Sequence, residues 1–230
     1  MAYGRGMRIV IAGGHGQVAL LLGRLAASRG DDVAGIVRNP AHVGDLAAIG
    51  VRALVRDLES TTAAELAGDL EGADAVVFAA GAGPGSGAAR KDTVDRAAAV
   101  LLADAARAAG VPAYLLLSSM GVDSVRGGRS PEGVDEVFTA YLRAKLAAEE
   151  DVLARDGLRV GVLRPGALTD DAPTGRVQLA PSVARGAVPR ADVAAVCLAL
   201  LDRLVTGPAP APVLELVGGD TPLGAALAAV

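Results

Sequence analysis

Tyr141 and Lys145 have the residue types and the spacing that proton transfer requires. They stand four positions apart, so both side chains lie on one face of a helix. A lysine ammonium next to a phenol favours the phenolate and is expected to lower a pKa that starts at about 10. The chain has only two lysines beside 20 arginines, so a chance pairing would be rare. The pair predicts a tyrosine that exchanges a proton with a carbonyl or hydroxyl group; the alternative is a tyrosine packed above a solvated lysine.

Ser118 and Ser119 follow an apolar run that is typical of a strand. A hydroxyl at such a strand end can hydrogen-bond the substrate oxygen that exchanges its proton with a tyrosine. Ser119 lies further out from the strand, so we expect Ser119, rather than Ser118, to contact the substrate. The alternative is that both serines only satisfy backbone groups where the strand ends.

A glycine-rich turn near the start of the chain indicates where a dinucleotide would bind. The apolar run over residues 9–12 leads into Gly13, Gly14 and Gly16, and a helical apolar pattern follows. Glycine permits backbone angles that a side chain forbids and lets a phosphate approach the bare N–H groups of the helix start. The spacing to Ala19 fits both G-x-x-G-x-x-A and G-x-G-x-x-A. The pattern predicts the opening of a dinucleotide-binding βαβ unit; the alternative is a plain strand-to-helix turn.

Further strand ends carry residues suited to the rest of a dinucleotide. Arg38 ends the second expected strand, about 20 residues after the glycine turn, where this kind of unit contacts the ribose. Because residues 33–40 contain no acid, an arginine there favours the 2′-phosphate of NADP over NAD. Asp57, followed by Leu58, is placed to accept from the adenine amino group, and the small residues 79–81 would let the backbone pass beneath a ribose. The alternatives are a solvated arginine and a turn or capping role for Asp57.

Apolar runs alternate with helical patterns along the chain, so the elements that hold these residues form an α/β fold. This alternation, with right-handed crossovers, predicts a doubly wound parallel sheet in three α/β/α layers, with ligands at the carboxyl ends of the strands. We expect one domain over residues 1–230, a small C-terminal substrate lobe, and substrate-side loops at residues 121–140 and 167–190. The expected strands cover residues 8–12, 33–37, 51–55, 75–79, 113–117, 159–163 and 213–217, with a short one at 176–179. The expected helices cover residues 17–29, 46–49, 62–70, 91–109, 141–156, 191–204 and 223–230, after a lead-in over residues 1–7.

The composition limits the compartment and the partners. Of 230 residues, 52% are hydrophobic, and no apolar run approaches the roughly 18 residues that a membrane span needs. No signal-peptide pattern precedes the first strand, and Cys197 has no second cysteine to pair with, so we expect a cytoplasmic protein. A net charge of −4 without a basic block argues against nucleic acid and membrane partners. We therefore expect a small-molecule substrate, no metal site, and a monomer or small homo-oligomer.

Four features together resemble the short-chain dehydrogenase/reductase superfamily over residues 7–218: the glycine turn, the serine after the fifth strand, Tyr-x-x-x-Lys, and Arg164-Pro165-Gly166. The form of the turn and residues 190–194 are similar to its atypical and extended NAD(P)-binding members, in particular the NmrA-like group, which includes reductases similar to biliverdin reductase B. The resemblance implies a Rossmann fold and a catalytic set of Ser119, Tyr141 and Lys145, with Lys145 also holding the nicotinamide ribose. The expected cofactor-binding residues are Gly13, Gly14, His15, Gly16, Gln17, Val18, Arg38, Asp57, Leu58, Ala79, Ala80, Gly81, Ser118, Lys145, Arg164, Pro165 and Gly166.

These residues predict an NADP-dependent oxidoreductase that transfers a hydride between nicotinamide and a small carbonyl or hydroxyl substrate. An epimerase or dehydratase would use the same hydride chemistry without net redox change. A redox-sensing module that binds NADP(H) without turnover is the third interpretation. The segment after Gly166 is short, which weakens the case for a nucleotide-sugar substrate.

Overall fold

The computed structural model describes residues 6–83, 85–208 and 210–230. The expected lead-in over residues 1–7 lies mostly outside the described residues, as do Pro84 and Ala209. The strands are β1 Arg8–Ala12, β2 Asp32–Val37, β3 Arg52–Val55, β4 Ala75–Phe78, β5 Ala113–Leu117, β6 Arg159–Pro165, β7 Ala167–Thr169, β8 Arg176–Ala180, β9 Ala187–Pro189, β10 Val213–Gly218 and β11 Thr221–Pro222.

Within these ranges, nine strands form one sheet in the order β11-β8-β10-β6-β5-β4-β1-β2-β3, and β7 and β9 form a separate parallel pair. The seven strands from β10 to β3 in this order run parallel, which confirms the doubly wound sheet. β8 runs antiparallel to both β10 and β11, so the expectation of a sheet parallel throughout is wrong at this edge. Burial alternates along β8, as it does in antiparallel strands with one face toward water.

The helices cover both faces of the sheet. They are α1 Gln17–Arg29, α2 Val43–Ala47, α3 Ala63–Leu70, α4 Ala88–Arg90, α5 Ala98–Ala108, α6 Glu136–Leu153, α7 Arg190–Thr206 and α8 Leu223–Ala228. Helices α1, α7 and α8 share one apolar core with the sheet, and α3, α5 and α6 share the other. This arrangement gives the three expected layers of a Rossmann-type fold. Among the described residues, no helix is long and apolar enough to cross a membrane.

The strand order reverses between β1 and β4. From β1 the chain continues outward to β2 and β3, and then it returns to β4, which pairs with the other side of β1. Loops that leave β1 and β4 in opposite directions open a crevice at their carboxyl ends, and this is where doubly wound sheets bind ligands. The fold therefore locates a binding crevice beside the glycine turn.

Most helices differ from the expected bounds by a few residues, as α2 does at Val43–Ala47 instead of residues 46–49. Two of these differences affect the larger set of candidate residues. The helix that carries Tyr141 begins at Glu136, five residues before the expected start, because the Asp135 carboxylate accepts a hydrogen bond from the Phe138 N–H at 2.9 Å and caps it. The helix expected over residues 91–109 begins instead at Ala88, and a π-helical segment, Lys91–Ala97, interrupts it between α4 and α5. The expected loops also hold structure: a 3₁₀ segment, Val122–Gly128, and the strands β7, β8 and β9.

Candidate active site

Two cavities lie along the carboxyl ends of the parallel strands and meet at residues 79–82. The smaller cavity, about 370 Å³, is lined by the residues that follow β1, β2 and β3, including Gly13, Arg38 and Asp57. The larger cavity, about 950 Å³, is lined by the residues that follow β4, β5 and β6 together with the N-terminal half of α6. Since the shared wall lies at the reversal of strand order, one extended molecule can occupy both cavities.

The glycine turn forms a tightly packed wall of the smaller cavity. Gly13 has a φ of +80°, and a Cβ there would lie 2.6 Å from Ala80 Cα. A Cβ at Gly14 would lie 2.7 Å from Gly35 Cα. Gly16 precedes α1 as its N-cap and provides no side-chain capping bond, and the first turn of α1 carries no acid. The N-terminal N–H groups of α1 are thus left for an anionic group, such as the pyrophosphate of a dinucleotide.

The three other expected cofactor-binding residues of the turn, His15, Gln17 and Val18, are placed differently from one another. The His15 side chain lines the smaller cavity, where its ring stacks on His42 with centroids 3.6 Å apart and its Nε2 lies 2.8 Å from Asp45 Oδ2. Gln17 is exposed at the start of α1 and lines neither cavity. The Val18 side chain packs into the core, so only its backbone faces the crevice side of the turn.

Arg38 lies at the mouth of the smaller cavity, with its side chain 58% exposed. Its Nη1 is 3.3 Å from Glu59 Oε2, and the same carboxylate accepts a hydrogen bond of 2.7 Å from Arg90. Hydrogen bonds from Arg90 and Thr93 lower the pKa of Glu59. Glu59 and Arg90 were not expected from the sequence, because Glu59 lies beyond the strand end and Arg90 approaches from a distant helix.

Asp57 and Leu58 line the smaller cavity, as expected for residues near an adenine. The Asp57 carboxylate already accepts a hydrogen bond of 3.0 Å from the Glu59 N–H. That contact is the turn role considered as the alternative for this residue.

Ser119, Tyr141 and Lys145 come together in the larger cavity. The Ser119 hydroxyl donates to Met120 O at 3.1 Å and lies close enough to the Tyr141 phenol to affect its pKa. Lys145 Nζ lies 5.8 Å from the centre of the Tyr141 ring. Lys145 is 4% exposed, and its Nζ donates to Leu117 O at 3.2 Å and to Ala80 O at 3.4 Å. The lysine thereby connects α6 to the ends of β4 and β5.

The expected direction of the tyrosine pKa is wrong in this structure. Burial raises the pKa of Tyr141 to about 12, the hydrogen bond with Ser119 opposes the rise, and the negative charge of Asp95 adds to it. The Lys145 ammonium pairs with Asp95 at 3.4 Å. Burial lowers the pKa of Lys145 itself, against the opposing effect of Asp95. At neutral pH the phenol therefore holds its proton.

The π-helical segment contributes two charged residues that sequence reasoning missed. Asp95 is 0% exposed; one carboxylate oxygen pairs with Lys145, and the other accepts from the Ala82 N–H at 3.2 Å. Lys91 is 9% exposed, and its Nζ donates to Gly83 O at 3.0 Å and lies 5.5 Å from the centre of the Tyr141 ring. A signal was present: Lys91 is the chain's only other lysine, and it stands four residues before Asp95.

Ser118 lines the larger cavity, but its hydroxyl and the Arg164 side chain are both engaged with Glu149. The Ser118 hydroxyl donates to the Glu149 carboxylate, and Arg164 pairs with Glu149 at 2.5 Å and with Asp123 at 2.6 Å. Arg164 lines neither cavity, so its expected side-chain contact with a cofactor does not fit this structure. The guanidinium instead joins β6, α6 and the 3₁₀ segment, while Pro165 and Gly166 do line the larger cavity.

Comparison with known proteins places the chain among dinucleotide-binding relatives. A family model described as NAD(P)H-binding matches residues 13–203. The uncharacterized sugar epimerase YhfK of Bacillus subtilis is 30% identical over 222 residues, which cover 96% of this chain and 99% of that protein.

Two solved structures extend the comparison. A Bacillus halodurans protein named as a candidate NAD-dependent epimerase/dehydratase superimposes with a TM-score of 0.84 at 30% identity, covering 98% of this chain and all of the other. The anaerobillin reductase ChuY of Escherichia coli O157:H7 superimposes with a TM-score of 0.75 at 26% identity, covering 93% of this chain and 98% of the other. The similar proteins thus carry the names of both reductases and epimerases.

Proposed function

The chain belongs to the NAD(P)H-binding family, and on that premise we propose that it is an NADP-dependent oxidoreductase acting on a small carbonyl or hydroxyl substrate. The observation that carries the proposal is the cluster of Ser119, Tyr141 and Lys145 in the larger cavity, directly beside the crevice of the glycine turn. A bound dinucleotide would supply or accept the hydride. The residues of the chain bind it, orient the substrate and move the proton.

The described residues fit a dinucleotide. A side chain at Gly13 or Gly14 would collide with neighbouring backbone, so this turn admits the backbone-to-phosphate approach that a pyrophosphate needs. Ala79, Ala80 and Gly81 form the wall common to both cavities and leave room for a ribose. Lys145 Nζ, held at Ala80 O, lies beside this wall and would donate to ribose hydroxyls.

The choice of NADP rests on Arg38. A 2′-phosphate at the mouth of the smaller cavity would accept two charge-assisted hydrogen bonds from the guanidinium, in place of the single 3.3 Å contact with Glu59. Arg90, which shares Glu59, adds positive charge on the same side.

Tyr141 supplies the proton. Because its pKa is raised to about 12, the phenol is protonated at neutral pH and donates to the oxyanion that forms when a carbonyl is reduced. Ser119, which lies beside the same phenol, would donate to that oxygen as well. We therefore propose carbonyl reduction as the direction favoured at neutral pH.

A second candidate is an epimerase or dehydratase, which the names of the Bacillus subtilis and Bacillus halodurans relatives favour. One experiment separates the two. The protein is incubated with NADPH that carries deuterium at the transferring position and with a panel of small aldehydes and ketones. Deuterium in the alcohol product and stoichiometric loss of NADPH absorbance support the oxidoreductase; product formation on a retained dinucleotide without net loss of absorbance contradicts it.

A further inference from the structure

The larger cavity contains two cations that no carboxylate pairs with in the described part of the chain. Lys91 is 9% exposed, and its Nζ bonds a backbone carbonyl, Gly83 O, and faces the Tyr141 ring at 5.5 Å. Arg185 lines the same cavity, and its Nη2 lies 3.2 Å from the position that a Cβ would take at Gly121. A nearly buried ammonium in such a place is costly unless a negative group is held there at some stage of function.

The other arginines of the two substrate-side loops are engaged away from the cavity. Arg126 pairs with Asp123 and Glu150, and Arg129 donates to the carbonyl oxygens of Arg126 and Asp123. Neither of these arginines lines the larger cavity.

Arg176 is similar, since it donates to Asp220 O at 2.5 Å and also lies outside the cavity lining. Of the arginines in residues 121–140 and 167–190, Arg185 alone is directed at the larger cavity within the described ranges.

The charge balance of the lining is positive. Two carboxylates line the larger cavity: Asp95 is paired with Lys145, and Asp135 caps α6 through the Phe138 N–H. Lys91 and Arg185 therefore outnumber the remaining carboxylate, Asp135, whose capping bond leaves its charge in place, and the cavity wall is mainly apolar. Because water is partly displaced from such a wall, an anion there is attracted more strongly than at an open surface.

We propose that Lys91 and Arg185 form an anion subsite that holds a carboxylate or phosphate group of the substrate. This inference rests on the proposed function, because it places the acidic group beside the carbonyl that Tyr141 protonates. The Lys91 ammonium lies over the face of the Tyr141 ring, so the acidic group is only a few bonds from the reacting carbon. The Arg185 guanidinium provides the planar donor pair that both carboxylate and phosphate accept.

Matched aldehyde probes test the subsite on the dinucleotide-loaded protein. Para-formylbenzoate is compared with its methyl ester, and para-formylphenyl phosphate serves as the phosphate arm. Calorimetry measures the Kd of each probe, and NADPH absorbance measures turnover. For whichever of the carboxylate and phosphate probes binds more tightly, the Kd of the wild type should be about tenfold or more below the Kd of the methyl ester, as expected for a charge-assisted hydrogen bond. The probe with the lower Kd, carboxylate or phosphate, identifies which anionic group the subsite binds.

Four variants assign the preference to the two cations. Lys91→Met and Arg185→Met should each remove most of the preference for the acid over the ester while leaving the Kd of NADPH unchanged, and Lys91→Arg should restore it in part. Arg24→Met removes the same charge from the exposed face of α1, outside both cavities, and should retain the preference. Because Arg185 is exposed, its variant remains informative even if the Lys91 variants fold poorly.

The outcomes for the subsite and for the proposed function are distinct. Equal affinity of the wild type for acid and ester, or a preference that survives in Arg185→Met, overturns the subsite. Preferential binding of the acid without any NADPH oxidation keeps the subsite and contradicts the oxidoreductase. NADPH oxidation with equal affinity for the acidic probes and the ester contradicts the subsite but supports the proposed oxidoreductase.

Discussion

At the scale of single residues, the protonation of the site depends on which ion-pair partner each charged side chain has. Lys145 satisfies the spacing expected from the sequence, yet its ammonium pairs with Asp95. Burial, with a contribution from the Asp95 charge, raises the pKa of Tyr141, so the phenol acts as an acid rather than as a base. The sequence shows that Tyr141 and Lys145 share a helix face, because that follows from helix geometry alone. It does not show the carboxylate that a distant π-helical segment brings between them.

The raised pKa of Tyr141 predicts opposite pH dependences for the two reaction directions. Carbonyl reduction needs the phenol, so its rate should stay level through neutral pH and fall only toward about pH 12. Alcohol oxidation needs the phenolate, so its rate should rise with pH up to that same limit. Rates measured in both directions across the alkaline range check this.

Asp95→Asn should move both of these profiles to lower pH. The substitution removes a negative charge that raises the Tyr141 pKa. Asp92→Asn, on the same segment but exposed and paired with Arg96, should leave them in place. Profiles that do not move in Asp95→Asn would argue that another group titrates.

The preference for NADPH over NADH is expected to depend on Arg38. Arg38→Ala should weaken NADPH binding by about tenfold or more through the loss of charge-assisted hydrogen bonds, and it should leave NADH binding unchanged. Arg52→Ala, which removes an exposed arginine that lines neither cavity, is the control. Titrations of both dinucleotides measure the effect; wild-type protein that binds NADH as tightly as NADPH would show that the assignment to NADP is wrong.

At the scale of elements, regular strands and helices can be predicted from the sequence, whereas a change of helix type within a helix cannot. The strand β5 was expected over residues 113–117 and is found at Ala113–Leu117, because an apolar run closed by serines has few other interpretations. The π-helical segment was missed, since one extra residue per turn leaves no mark in an alanine-rich apolar pattern. This segment carries Lys91 and Asp95, which contact Tyr141 and Lys145.

The network around Glu149 holds α6 in register with the sheet, and it supports a stability prediction. Glu149 is 1% exposed and accepts from both Ser118 and Arg164. Glu149→Gln would leave the Arg164 guanidinium buried without its main partner, so the free energy of unfolding should fall by about 3 kcal/mol.

The neighbouring Glu150 provides the control for this prediction. It pairs with Arg126 at the surface, where Glu150→Gln should cost less than about 1 kcal/mol. Urea unfolding of the two variants compares these free energies, and equal losses would show that the buried network is not what stabilises α6.

At the scale of the whole molecule, the parallel part of the sheet could be predicted and its edge could not. Alternating strands and helices with right-handed crossovers leave few arrangements for β1 to β6. The edge strand β8 lies in a stretch expected to be mostly irregular, apart from a short strand at 176–179, and β11 was not expected. The antiparallel direction of β8 depends on its pairing with β10 and β11, which no local pattern encodes. The crevice at the reversal of strand order was predictable, because it follows from the topology.

The central claim is that Tyr141 moves the proton in a reaction that the bound dinucleotide drives. Tyr141→Phe removes the hydroxyl and little else, so carbonyl reduction should fall by about 100-fold or more while the Kd of NADPH stays unchanged. Tyr114→Phe removes a buried phenol that donates to Ala99 O outside both cavities, and its rate should match the wild type. A Tyr141→Phe variant that reduces its substrate at the wild-type rate would contradict the account.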